Sequence, residues 1–158
     1  MSIFRDPIYC DLYSSGSVSS KKLRFLGLYD KSFEYKEGAC ISGYFGVKVD
    51  RISLVRIIVD LRSEGFNCLS IPMCYKTSRL LTVSECLNIG RKYAANNNIS
   101  ISEIERMLPD LPFCFNFDVT GGVEERAGGI VRVDKLDGHI WTLSEVEEYM
   151  HDYNGLLI

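Results

Sequence analysis

The chain reads as short apolar runs separated by glycine, asparagine and proline, with three well-marked helix starts between them. Residues 1–20 are weakly patterned and close on Ser14-Ser15-Gly16-Ser17, which predicts a loop. Leu23-Arg24-Phe25-Leu26-Gly27-Leu28-Tyr29 has the aromatic and apolar content of a strand. Glu37-Gly38 breaks the chain before a second strand, Ala39 to Val49, in which Gly43 and Gly46 point to a bulge or close backbone packing. Ser53 can cap a helix over Leu54 to Ser63, with Leu54, Ile57, Ile58 and Leu61 on one face and Gly65 as its stop. Phe66 to Tyr75 reads as a strand that Pro72 confines to a sheet edge.

Thr82-Val83-Ser84-Glu85 is a capping box, in which a hydroxyl and a carboxylate satisfy the first free amides of a helix running to about Ala95. Ser100-Ile101-Ser102-Glu103 has the same form and predicts a short helix ending near Pro109. A meander follows. Phe113, Phe115 and Phe117 alternate with Cys114, Asn116 and Asp118, Gly121-Gly122 marks a turn, and Ile130 to Leu136 forms a strand. Asp137-Gly138 signals a two-residue turn, His139-Ile140-Trp141 returns, and Thr142-Leu143-Ser144-Glu145 opens a last helix. On that helix Leu143, Val146, Met150 and Tyr153 form an apolar stripe suited to packing on the meander. The whole predicts an α+β fold: a mainly antiparallel sheet with three or four helices, as a single globular domain over residues 1–158.

Charge sharpens this picture. From Asn116 to Ile158 there are nine acids and three bases, whereas the rest of the chain has fifteen bases and twelve acids. The net charge of −3 conceals the contrast. An acidic end suits a basic partner and disfavours nucleic acid, since no basic stripe is concentrated anywhere and Lys21-Lys22-Leu23-Arg24 is too short to form one. Glu145, Glu148 and Asp152 form an acidic stripe on the last helix with Glu147 beside it. Like charges so spaced cost a few tenths of a kcal/mol each, and no lysine or arginine on the helix offsets them. The stripe is either a solvated face or a docking ridge. No apolar run approaches the ~20 residues of a membrane span, and the first residues lack a signal-peptide pattern, so the cytosol is expected and no membrane partner.

The candidate chemistry is sparse. Six cysteines show no C-x-x-C pair and mostly sit beside apolar residues, which predicts reduced core thiols and no zinc site. Cys40 or Cys114 as a nucleophile would need a histidine close by. His139 and His151, with Asp137 and Asp152, are candidate acid–base or metal groups, set against a hairpin and a helix-surface histidine. Gly121-Gly122-Val123-Glu124-Glu125 has the opening of a Nudix box without its R-E-x-x-E-E core, and no lysine follows Gly128-Gly129 as a phosphate loop requires. Trp141 is either a packing anchor or an interface tryptophan. No cofactor is called for.

The closing segment, Asp134-Lys135-Leu136-Asp137-Gly138-His139-Ile140-Trp141-Thr142 with Glu145, Glu148-Tyr149-Met150 and Asp152-Tyr153-Asn154, resembles the C-terminal end of bacterial immunity proteins of contact-dependent growth inhibition and related polymorphic toxin systems. The resemblance covers about a quarter of the chain. It implies a protein that is not an enzyme and that binds a cognate toxin domain, often a basic nuclease, over its active site. The implied contacts are Glu145, Glu148 and Asp152, with Asp137, His139, Trp141 and Tyr149 as neighbours. Two alternatives stand beside it: a small cytosolic enzyme using Cys or His with a carboxylate, and an adaptor or structural interaction domain.

Overall fold

The structure is a computed structural model that describes residues 8–19, 21–107, 112–122 and 129–149, with the side chains of Glu148 and Tyr149 outside that description. It is α+β, and every strand pairing among these residues is antiparallel. By their internal contacts the residues group into two compact units. One comprises the residues up to Lys76 and those from Glu147 onward, and the other comprises Thr77 to Val146. No helix among the described residues is long and apolar enough to cross a membrane.

The first unit is built around β1 (Tyr9–Val18). The expected loop at Ser14 to Ser17 lies inside this strand. It is tolerated because its neighbour on one side, β2 (Ile41–Tyr44), carries a register shift opposite Ser14 to Val18. β3 (Val49–Asp50) continues along the same side, and β4 (Cys68–Pro72) pairs along the other. The edge position expected from Pro72 is the observed one. The segment read as a strand over 23–29 is instead a 3-10 helix, Lys21–Leu28. Its two fully buried leucines, Leu23 and Leu26, are three apart, the repeat of that helix rather than of a strand.

The strand expected from Ala39 to Val49 is broken at residues 45–48, and the cause is a buried carboxylate. Asp11, with 0% of its surface exposed, accepts hydrogen bonds from the amides of Val47 (2.9 Å), Gly46 (3.3 Å) and Leu12 (2.8 Å). Gly46 has φ +73°, a conformation open to glycine at no steric cost. Lys76 Nζ donates at 2.7 Å to Oδ2 of the same carboxylate, the oxygen that also accepts the Gly46 amide, from the short helix α2 (Cys74–Thr77) that the sequence did not signal. Lys76 also lies 5.3 Å from the centroid of the Tyr44 ring, which stands edge-on to Tyr13.

Helix α1 (Arg51–Ser63) buries Leu54, Ile57, Ile58 and Leu61 as its spacing predicts, against Cys10, Leu12, Val49 and Cys68 of the sheet. Its cap is Asp50, not Ser53. Asp50 is extended and its carboxylate accepts the Ser53 amide at 3.1 Å; the Ser53 side chain's hydrogen bond, and then that amide, hold its acid below the usual range. The helix stops at Gly65, φ +89°, where Gly65 N donates to Arg62 O and Phe66 N to Leu61 O, closing the turn as a Schellman motif.

In the second unit, helix α3 (Val83–Asn96) begins with both bonds of the predicted Thr82/Glu85 capping box in place. The box predicted at Ser100 is a strand instead, β5 (Ile99–Glu105). Ile99 and Ile101, two apart, reach the apolar cluster on one side, while Glu103 pairs with Arg91 and the Ser102 hydroxyl accepts the Ile104 amide. Burial at period two therefore overrides the capping signal. The sheet runs β5, β6 (Cys114–Gly122), β7 (Ile130–Asp134), β8 (Ile140–Trp141), which is the expected meander with one strand added at its edge. Gly121 and Gly122 do not turn; they pair with Ser100 and Ile99. Phe115, Phe117, Val131 and Val133 pack with Cys86, Leu87 and Tyr93 of α3. Cys114 and Asn116 on the opposite face are also buried, so β6 is covered on both sides. Helix α4 (Leu143–Tyr149) follows the meander. Its expected apolar stripe does not start as predicted, since Leu143 is 63% exposed; Met150 and Tyr153 lie outside the described residues.

Removing Asp11 leaves the Lys76 ammonium and two irregular backbone amides without their acceptor. Asp11→Ala is expected to lower stability by about 3 kcal/mol in urea unfolding at neutral pH, the scale for breaking one side of a buried ion pair. A loss within a few tenths of a kcal/mol would show that water replaces the carboxylate without cost.

Candidate functional site

The described part of the acidic segment converges on the connection between β7 and β8. The two-residue turn expected at Asp137-Gly138 is a four-residue one, because Lys135 to Gly138 stand between Asp134 and His139, whose backbones bond to each other (Asp134 N to His139 O, 2.9 Å). Asp134, 3% exposed, organises it. One carboxylate oxygen accepts the Leu136 amide at 2.8 Å, and the other accepts the indole N–H of Trp141 at 3.0 Å. Asp137 repeats the local motif, accepting the His139 amide at 2.9 Å.

The loop also seats tightly on its own unit. Leu81 N donates to Lys135 O (2.7 Å) and Lys135 N to Phe113 O (2.8 Å). Gly138 has φ +77°, and a Cβ there would come within 2.6 Å of Ile89 Cδ1 on α3. Trp141, 5% exposed, packs its ring 5.3 Å from Phe113. It is the packing anchor and braces the site from beneath rather than offering a face to a partner.

On this base stands a polar pair. His139 Nε2 lies 2.6 Å from Glu145 Oε2, with the side chains 50% and 31% exposed. The His139 ring sits edge-on to Trp141 at 6.0 Å. Thr142 accepts the Glu145 amide at 3.2 Å, as predicted for the start of α4, while the Glu145 carboxylate reaches to His139. Glu145 also lies in the first turn of α4, where the helix dipole favours an anion. Thus Asp137, His139, Trp141 and Glu145 of the sequence-predicted set are brought together. Glu148 and Tyr149 belong to α4 with side chains outside the described residues, as does the whole of Asp152 and of His151.

Several acids of the segment are committed within the protein. Asp118 pairs with Arg106 at 3.0 Å, Asp134 is internal and Glu145 holds His139, which leaves Asp137 and Glu147 as exposed acids among the described residues. Asp134 is the residue that sequence reasoning passed over. Its signal was an aspartate opening a turn two residues before the amide it accepts.

The thiols bear on the enzymatic alternative. Burial pushes Cys10 up to about 12 and Cys68 and Cys86 up to about 11; for Cys86 the Asp134 carboxylate adds to the effect. Cys114 is raised further, by burial and then by Asp134. None of these four supplies a thiolate near neutral pH. Among the described residues, no group of three or more His, Cys, Asp and Glu side chains is arranged to hold a metal ion. The arrangement at His139 offers an imidazole and a carboxylate to a cationic or hydrogen-bonding group.

Two outcomes follow. Gly138→Ala should destabilise the protein by about 1–3 kcal/mol, from the strained backbone and the contact with Ile89 together, and calorimetry would read the lowered Tm. A thiol reagent applied to the native protein near neutral pH should modify Cys40 and Cys74 only, with the other four reacting after denaturation; rapid native labelling of Cys114, located by peptide mapping, would overturn the assignment of buried inert thiols.

Compared with known protein families, curated proteins and solved structures, the chain matches none.

Proposed function

We propose that the protein is an immunity protein, which binds a cognate toxin domain and blocks its active site. The observation that carries this reading is the braced cluster of exposed Asp137 and His139 with half-buried Glu145, in a segment with nine acids and three bases. A partner-binding surface benefits from side chains held in place before encounter, because less freedom is lost on association. Here the hydrogen bonds of Asp134 and the packing of Trp141 and Gly138 provide that rigidity. Acidic groups on such a surface speed the approach of a basic toxin such as a nuclease and occupy the places its substrate phosphates would take. Glu148, Tyr149 and Asp152 stay in the proposed contact set on the sequence alone. The raised buried thiols weigh against the reading as a Cys/His enzyme.

The test is rescue and binding. The C-terminal domain encoded by the adjacent upstream gene is expressed in bacteria with and without this protein, and co-purification is then assayed. Growth arrest relieved by this chain, together with a stable complex, is the expected result; toxicity without rescue or binding removes the reading for that pair. In the complex, Asp137→Lys with Glu145→Lys should slow association about tenfold at low ionic strength. His139→Gln, which frees the Glu145 carboxylate, should leave it unchanged or faster. Equal rates for the charge reversal and the wild type would exclude this cluster from the interface.

A further inference from the structure

The first unit holds a groove none of whose named lining residues belongs to the acidic segment. The 3-10 helix Lys21–Leu28 and the end of α1 enclose a groove of about 370 Å³ lined by Lys22, Phe25, Asp60, Leu61, Ser63 and Glu64. That volume falls at the small end of clefts that take organic ligands. Buried Leu61 and half-buried Phe25 give it an apolar wall, and the Phe25 ring is fixed edge-on to Tyr29 at 6.3 Å. Asp60 and Glu64 stand four residues apart, and so on one face of the helix end. The Asp60 carboxylate has no hydrogen bond or ion pair among the described residues. Glu64 holds the ammonium of Lys22 at 2.7 Å, with the Lys22 side chain 66% and the Glu64 side chain 35% exposed. The carbonyl end of α1 adds partial negative charge to the same place.

We propose that this groove binds a guanidinium group on a short apolar stem. A planar guanidinium can lie flat against the Phe25 ring while its spread fork of N–H donors serves both Asp60 and Glu64, whereas an ammonium offers its three donors from one point and has no face to lay on the ring. Lys22 is then the tethered occupant that the ligand displaces. Its exposed ion pair is weak enough to give way. The stem lies along Leu61. The same chemistry is presented by a free alkylguanidine and by an arginine side chain of a protein partner. The groove is independent of the immunity reading, since none of its residues belongs to the acidic segment.

The experiment is an NMR titration of the full chain with n-butylguanidinium, following the amides of Phe25, Leu61 and Glu64, with neutral n-butylurea as the isosteric control. Saturable shifts at these amides with a Kd of about 1 mM are expected for a ligand this small, and none with the urea. Asp60→Asn should weaken binding about fivefold, and Lys22→Ala should tighten it about twofold by removing the internal competitor. Both residues are exposed, and an unchanged Tm confirms that the variants remain folded. Tighter binding of N-acetyl-Gly-Arg-Gly-amide than of n-butylguanidinium would identify the ligand as a partner's arginine, and exclusion of the peptide would identify a small molecule; either supports the site. Absence of saturable shifts, equal binding of the urea, or an unaltered Kd in Asp60→Asn overturns it.

Discussion

Backbone amides that leave a sheet ladder inside a protein must find another acceptor, and two buried aspartates meet that requirement here. Asp11 takes the amides of Gly46 and Val47 where the chain breaks between β2 and β3. Asp134 takes the Leu136 amide where it turns between β7 and β8. Each carboxylate is then balanced by a second donor from farther along the chain, Lys76 for Asp11 and the Trp141 indole for Asp134. Charge-assisted bonds of this kind are stronger than those between neutral groups, and a carboxylate left alone at such burial would be prohibitive. Each unit thus depends on one anion for its irregular corner.

The same arrangement shapes what the acidic segment can do. Counted as charge, the segment presents nine acids. Counted as partners, Asp118, Asp134 and Glu145 are already engaged by Arg106, Trp141 and His139. The exposed charge is smaller than composition suggests, and it is better fixed. A carboxylate that answers an internal donor costs less freedom to hold in place than one on a free helix face. This favours reading the cluster as a prepared surface rather than as a solubilising fringe.

Much of the chemistry that acts within one turn was legible. The Thr82/Glu85 box, the buried face of α1, the Gly65 stop and the alternation of the meander all operate between residues a few positions apart. Two of the failures share one cause. The Leu23–Leu26 spacing suits a 3-10 helix, but its apolar content alone reads equally as a strand. Ser100 to Glu103 has a capping pattern, yet Ile99 and Ile101 gain more by reaching the cluster beside α3 than the cap would give. In both, burial against a distant element outweighs a local preference worth about 1 kcal/mol.

By itself the sequence determined the α+β class, the positions of α1 and α3, an edge strand around Pro72 and the thiol-rich core, because capping, helical spacing and alternation are short-range properties of the chain. It also determined the charge of the C-terminal segment. Only the tertiary structure decided which acids remain exposed, that Trp141 lies beneath the candidate site, and that Asp11 and Asp134 anchor the irregular corners. Those outcomes depend on donors as distant as Lys76 from Asp11, and no local pattern encodes which side chains meet across such a separation.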